Sequence, residues 1–392
     1  MRQVTSQIKG FPNRTLSRVL NLQDMASQWK PDIQFLVLVE TEKDFANLVN
    51  LKNSGLKNLG LLTHDLELFT KSEFSSVFCD ENTLEEGDVV AVTNTRRLVH
   101  VLFRESDVHH TVFLTNRCNS NCLMCSQPPT PQDDSWLVDE AFMIAAHMRI
   151  SPVLLGFTGG EPLLLGKQLR EVLKVFLQHH PDIEFDLLTN GRMLSDETLA
   201  KELLEDLPNR VTWMVPLYGH TDFLHDFVVQ SAGAFEQTLQ GLLTLQNYRQ
   251  PIQLRIVLIE PVLKFLPSLC EFIGKNLPFI KEVAIIGCEP TGFALANRPL
   301  CEIDISKWSE ELEDGVKWLK RASLNPVIMN IPFCALPRTL WPYAHQSISD
   351  WKRVFAAECA SCTVKDSCSG LFSWYDKQWS PARITPILEN SL

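Results

Sequence analysis

The rhythm of apolar and polar positions changes near residue 108. Before it, short apolar runs at 35–40 (FLVLVE) and 60–62 stand apart as strand candidates. Residues 87–103 (GDVVAVTNTRRLVHVLF) read as a hairpin, two β-rich runs around the turn-like Thr93-Asn94-Thr95. The pattern predicts a small α+β domain over 1–108. From Thr111 short apolar runs alternate with longer segments of helical period. Strands are predicted at 111–116, 153–158, 183–189, 211–217, 252–259 and 283–287, and helices at 138–150, 167–179, 195–204, 235–246 and 266–277.

Strands that alternate with helices imply parallel pairing through right-handed crossovers. The expected fold class is α/β, with six βα units over 109–300 forming a partial barrel whose chemistry sits at the carboxyl ends of the strands. After Cys301 the rhythm changes again. A helix is predicted at 306–321 and a strand at 327–331, followed by a cysteine-rich tail that makes 301–392 a third region.

Composition narrows the function. With 45% hydrophobic and 21% charged residues the chain reads as globular throughout. A formal charge of −11 and no basic run exclude a phosphate backbone as main partner, because counterion displacement needs a basic surface. The first ten residues lack a basic segment followed by an apolar stretch, and no eighteen apolar residues run together. These features predict a cytoplasmic protein with neither nucleic acid nor membrane as partner. Eleven cysteines in such a compartment point to metal or catalysis rather than disulfides.

Their spacing supplies the chemistry. Cys118, Cys122 and Cys125 lie on one loop directly after the first strand of the α/β region. Three thiolates can ligate three irons of a cubane and leave the fourth open; zinc or free buried cysteines are the alternatives. Gly159-Gly160-Glu161-Pro162 follows the second strand, where paired glycines let the backbone approach a ligand or simply make a strand-to-helix turn. Thr189-Asn190-Gly191 ends the third strand, as turn, ligand site or both.

The three-then-two cysteine spacing, in this strand context, resembles the signature of radical S-adenosylmethionine enzymes, whose fold is a partial six-stranded βα barrel. The resemblance implies a 4Fe–4S cluster on Cys118, Cys122 and Cys125, with S-adenosylmethionine chelated at the open iron and cleaved reductively to a 5′-deoxyadenosyl radical. It implies cofactor contacts from the GGEP segment, Gly159, Gly160, Glu161 and Pro162, and from Thr189 and Asn190. Gly287, at the end of the sixth strand, would lie beside the adenine. Met124 stands where family members usually carry an aromatic residue. Arg255, inside the apolar fifth strand, either pairs the cofactor's carboxylate or faces outward.

Cys359, Cys362 and Cys368, with Cys334 upstream, make a second candidate metal set. Their arrangement resembles the SPASM or twitch auxiliary-cluster extensions of peptide-modifying radical enzymes, in the shorter single-cluster form; a closed zinc site is the alternative. His225-Asp226 reads as a loop pair after the fourth strand, for proton transfer or merely on the surface. Cys79, Cys270 and Cys288 read as small apolar residues. The stretch 115–129 (TNRCNSNCLMCSQPP) and Glu289-Pro-Thr-Gly-Phe-Ala294 are similar to the His-Xaa-Ser system maturases of the HxsC type. That resemblance implies a ribosomally made precursor peptide as substrate, companion maturation proteins, and a reductant such as flavodoxin or ferredoxin. The alternatives are an iron–sulfur scaffold or electron-transfer protein without turnover, and a radical enzyme acting on a non-peptide substrate.

Overall fold

The computed structural model describes residues 2–12, 14–205, 207, 209–375, 379 and 381–388. Contacts divide the chain into two compact units. One comprises residues 1–113, 135–155 and 171–183; the other comprises 114–134, 156–170 and 184–392.

The first unit is built on β1 (Arg2–Thr5), β2 (Gln7–Lys9), β3 (Thr15–Asn21), β4 (Phe35–Leu38), β5 (Leu59–Thr63), β6 (Ser76–Phe78), β7 (Val89–Thr93) and β8 (Leu98–Phe103). They form one mixed sheet in the order β1-β8-β7-β3-β4-β5-β6-β2. Strands β3 to β6 are parallel and the rest pair antiparallel. Both faces are buried, as the strand sequences require. Leu36, Leu62 and Val90 pack on one face, Phe35, Val37 and Leu61 on the other. The predicted hairpin is present, with Arg97 at φ 52° closing the turn between β7 and β8. Helix Glu42–Asn53 begins where the Thr41 hydroxyl accepts from the Asp44 amide at 3.2 Å.

The second sheet contains β9 (Thr111–Phe113), β10 (Leu154–Thr158), β11 (Glu184–Leu188), β12 (Val211–Pro216), β13 (Ile252–Leu258), β14 (Glu282–Gly287), β15 (Asn325–Met329) and β16 (Ala344–His345). Sheet order equals chain order, and every pair from β11 to β16 is parallel. Each new strand therefore adds at the same edge after a crossover, which is how a barrel wall grows. All six strands expected from the hydrophobic pattern are present. Two more extend the wall. The 327–331 run pairs with β14 as β15, and β16 is only two residues long, too short to leave a period in the sequence.

The helices between the strands form for local reasons. Asp196 caps Glu197–Leu204 by accepting from the Thr198 and Leu199 amides, and Thr221 caps Asp222–Val229. Trp213, Val215, Leu254, Ile256, Leu258, Val283 and Ile285 are fully buried. On the opposite side of the same strands Val257, Ala284, Ile286, Val327 and Met329 make a small separate cluster. No helix of the described residues is long and apolar enough to cross a membrane.

Candidate active site

The backbone just before the cysteines is fixed by the turn after β10. Gly160 N donates to Thr115 O at 2.7 Å and Glu161 N to Arg117 O at 2.8 Å. Only glycine permits this approach, since a Cβ at Gly159 would lie 2.4 Å from Thr115 O and one at Gly160 2.2 Å from Arg117 O. From the other side Asp134, nearly fully buried, accepts from the Thr115 hydroxyl at 3.0 Å and from the Asn116 amide. Asp134 also meets Arg117 Nε at 3.4 Å.

Glu161 is wholly buried, and its carboxylate faces three donors. Oε1 accepts from the Leu163 amide at 2.9 Å and the Thr189 hydroxyl at 2.5 Å; Oε2 accepts from the Asn190 amide at 2.6 Å. Burial pushes this carboxyl above its ordinary range, while the hydrogen bonds from Thr189, Asn190 and Leu163 hold it down. The turns after β10 and β11 are thereby tied to one charge.

The next turn holds the cysteine loop itself. Asn190 Nδ2 donates to Asn119 Oδ1 at 2.5 Å. Arg192 Nη1 donates to Asn119 O at 2.6 Å and to Ser120 Oγ at 2.8 Å, with Nε on Gln237 Oε1 at 2.8 Å. Asn121 N and Leu123 N donate to the carbonyls of Val229 and Val228 at 3.0 and 2.9 Å, where helix Asp222–Val229 ends. Asn297 Nδ2 donates to Leu123 O at 2.9 Å and Phe293 N to Cys125 O at 2.8 Å. Every turn of the 118–125 loop thus has an external anchor.

The three thiols are half-buried. Burial pushes Cys118 up to about 11 and Cys122 to about 12, with the neighbouring cysteine thiols adding to the rise, and burial raises Cys125 as well. The Ser120 and Asn119 amides hydrogen bond to Cys118 and oppose its shift. Thiolates gathered there with nearby amides and little water need a compensating cation. Among the described residues no group of three His, Cys, Asp or Glu side chains closes round a point as the ligands of a single metal ion do. A cubane takes each thiolate at a different iron, so the all-sulfur donor set on one amide-lined loop fits it.

Met124 is buried beside the cysteines. Pro162 is buried at the start of the 3-10 turn that follows Glu161. Arg255 shares a strand face with Val257, so it faces the inner cluster of the sheet rather than outward. Its Nη1 donates to Gln253 Oε1 at 3.0 Å and meets Met214 Sδ at 3.4 Å. Burial lowers its pKa, against the attraction of Tyr218 and Asp186. Burial lifts Asp186 to about 6. Tyr218, just past β12, is buried; burial raises its phenol well above its ordinary range, with the Cys122 thiol adding to the rise and Arg255 opposing it. Gly287 ends β14, where a Cβ would lie 2.6 Å from Asn330 O.

Cys334, Cys359, Cys362 and Cys368 line one pocket with Phe333, Phe355, Val364, Leu371 and Ile384. Burial raises Cys334 and Cys359, and both feel Cys368. Four thiols from three separate turns therefore converge, again an all-sulfur set.

Two readings are corrected. His225-Asp226 is helical, not a loop: His225 is buried with Nδ1 accepting from the Tyr218 amide at 3.2 Å. Asp226 caps the next helix by accepting from the Gly233 and Phe235 amides at 2.6 and 2.8 Å. Thr221, an N-cap, was the signal for that helix. Cys288 is not simply an apolar filler, because its thiol is hydrogen bonded to Cys301. Asp134, Arg192, Tyr218 and Asn297 support the site from outside every motif, and Asn119 does so from between Cys118 and Cys122; for Arg192 the only hint was its place directly after Thr189-Asn190-Gly191.

Residues 112–262 match the model of the Radical SAM superfamily. This stretch runs from β9 to past β13 and makes up less than half of the chain. Two curated relatives are similar over part of the chain. An uncharacterized protein of Methanocaldococcus jannaschii is 24% identical over 180 residues, 45% of this chain and 61% of that protein. A probable GTP 3′,8-cyclase of Methanocella arvoryzae is 28% identical over 154 residues, 38% of this chain and 48% of that protein. The chain thus spans less than two thirds of either relative. Among solved structures, SuiB of Streptococcus suis bound to S-adenosylmethionine covers 56% of this chain and 49% of its own, at 13% identity and a TM-score of 0.45.

Replacing Glu161 with Ala strands three buried donors, each costing about 1–3 kcal/mol when unsatisfied. Urea unfolding should show a loss of several kcal/mol, with lower iron uptake by the cysteine loop; Glu161→Gln, which keeps one acceptor oxygen, should fall between. A wild-type midpoint and iron content in Glu161→Ala would contradict this role.

Burial holds His225 down at about 4, despite Asp226 nearby. Its folded pKa lies below the unfolded value of about 6.5, so the unfolded chain takes the proton first. The stability this contributes, on the order of 3 kcal/mol, is full above about pH 6.5 and is lost as pH falls toward 4. Urea midpoints across that window should fall in the wild type and fall less in His225→Asn, whose Oδ1 can replace the Nδ1 acceptor.

Proposed function

We propose that this chain is a radical S-adenosylmethionine enzyme that modifies a ribosomally made peptide, as a His-Xaa-Ser system maturase. The observation that carries the enzymatic part is the loop of Cys118, Cys122 and Cys125, three half-buried thiols anchored from the turns after β10 and β11, within a segment of radical S-adenosylmethionine sequence. The resemblance of 115–129 and of Glu289–Ala294 to His-Xaa-Ser maturases, with a second four-thiol pocket, supports the peptide part.

In this reading Cys118, Cys122 and Cys125 hold the 4Fe–4S cluster. Met124, Gly159, Gly160, Pro162, Thr189, Asn190 and Gly287 are the nearest candidates for contacts with S-adenosylmethionine, and Arg255 is the inward cation for a carboxylate. Glu161 spends its carboxylate on the protein and positions the others. When bound, the reduced cluster would supply the electron for cleaving S-adenosylmethionine to methionine and a 5′-deoxyadenosyl radical, which would take a hydrogen atom from the peptide. Cys334, Cys359, Cys362 and Cys368 hold an auxiliary iron–sulfur cluster. The 1–108 region recognises the peptide, residues 109–300 carry the radical chemistry and 301–392 the auxiliary site. Work in the cytoplasm requires a reductant of the flavodoxin or ferredoxin kind and companion maturation proteins.

A non-peptide substrate is the second reading. It is favoured by the 28% identical relative whose name is probable GTP 3′,8-cyclase.

After anaerobic reconstitution with iron and sulfide, the wild type should make 5′-deoxyadenosine from S-adenosylmethionine and dithionite. The Cys118→Ala/Cys122→Ala/Cys125→Ala variant should make none, and persistence of that product would sink the assignment. Iron near eight per chain supports two cubanes, while about four leaves the tail to zinc or nothing. A peptide with His-Xaa-Ser repeats should accelerate deoxyadenosine release and change mass. The same response to GTP and not to the peptide would establish the second reading instead.

A further inference from the structure

Seven of the eleven cysteines belong to the three-thiol loop and the four-thiol pocket. Of the other four, Cys79 and Cys270 are buried in apolar cores. Cys288 and Cys301 differ. Cys288 follows β14 directly and is half-buried; Cys301 ends the short helix Arg298–Cys301 and is only 1% exposed. Both sulfurs line one cavity, together with Gly287, Asn330 and Phe372, and they are hydrogen bonded to each other.

We propose that Cys288 and Cys301 form a reversible dithiol–disulfide site, closed by exchange with a small-molecule disulfide of the glutathione class. Two sulfurs already in hydrogen-bond contact need only a modest approach to reach the S–S separation of about 2.05 Å. The cavity gives the reagent access to Cys288, the more exposed of the two. The Cys288 thiolate attacks the reagent's disulfide, forming a mixed disulfide and releasing one thiol. Cys301 then attacks the Cys288 sulfur, forming the internal bond and releasing the second thiol. The protein gives up two protons and two electrons, and the reagent leaves as two thiols. The hydrogen bond between the two raises the Cys288 thiol and lowers that of Cys301, so the first attack by Cys288 quickens as pH rises.

The bond would do more than cap two thiols. Cys301 Sγ now donates to Leu123 O at 3.8 Å, in the middle of the cysteine loop. Between the two cysteines, Phe293 N donates to Cys125 O at 2.8 Å, and a Cβ at Gly292 would lie 2.4 Å from that same oxygen. Closing the disulfide pins both ends of the 289–300 segment that cradles the cysteine loop, and withdraws the Cys301 S–H from Leu123. The site is therefore a redox-set brace on the loop, and it does not depend on which substrate the enzyme takes.

The test is thiol mapping on the full reconstituted chain. After anaerobic equilibration in graded mixtures of reduced and oxidised glutathione, free thiols are alkylated and the digest is read by mass spectrometry. The expected result is a peptide pair joined through Cys288 and Cys301, two mass units lighter than its separate halves. It should grow with oxidised glutathione, vanish on reduction and be missing from Cys288→Ser. Full alkylation of both thiols in the most oxidising mixture would overturn the proposal, as would bridges from either cysteine to other cysteines as often as to its neighbour. The wild-type result decides alone, whatever the folding of the variant.

Discussion

A single buried charge organises the mouth of the barrel. The Glu161 carboxylate is removed from water, and such a burial is tolerable only because three donors converge on it. Those donors come from its own turn and from the turn after β11, so the carboxylate fixes the spacing of two neighbouring strands at their carboxyl ends. The backbone on either side of Glu161 meanwhile grips Thr115 and Arg117, immediately before the first cysteine. Asn190 and Arg192 extend the same chain of contacts to Asn119 and Ser120. The position of the three thiols is therefore set by polar contacts made within the protein itself.

Around that loop the chain places three kinds of sulfur. Cys118, Cys122 and Cys125 sit on one anchored loop, Cys334, Cys359, Cys362 and Cys368 converge in an apolar pocket, and Cys288 pairs with Cys301 between them. Segment 289–301 touches the first set through Leu123 and Cys125, and Lys352 ties its first residue, Glu289, to the tail at 3.0 Å. Lys352 is itself held over the rings of Trp351 and Trp374 at 5.1 Å each. Segment 289–301 thus contacts the cysteine loop on one side and the tail on the other.

Much of this was legible in the sequence because it depends on period and spacing. Alternating strand and helix rhythms located every expected strand of the second sheet, and cysteine spacing located the loop. Side chains whose role comes from geometry alone were not legible. Arg192 and Asp134 look like ordinary surface residues until folding brings them against the cysteine loop and residues 115–117 just before it. Strand β16 is too short to show a period, and His225-Asp226 looked like loop because only the Thr221 cap marks the helix that carries it. Cys288 and Cys301 are thirteen residues apart with no ligand spacing, so only the fold could pair them.

The measurement closest to the central claim is electron paramagnetic resonance of the reconstituted, dithionite-reduced chain before and after S-adenosylmethionine is added. If Cys118, Cys122 and Cys125 hold a cubane with one open iron, the wild-type spectrum carries a reduced-cluster signal that shifts on adding the cofactor, and Cys118→Ala/Cys122→Ala/Cys125→Ala loses that component. A cluster signal indifferent to S-adenosylmethionine, or one that survives removal of the three thiols unchanged, would contradict the account.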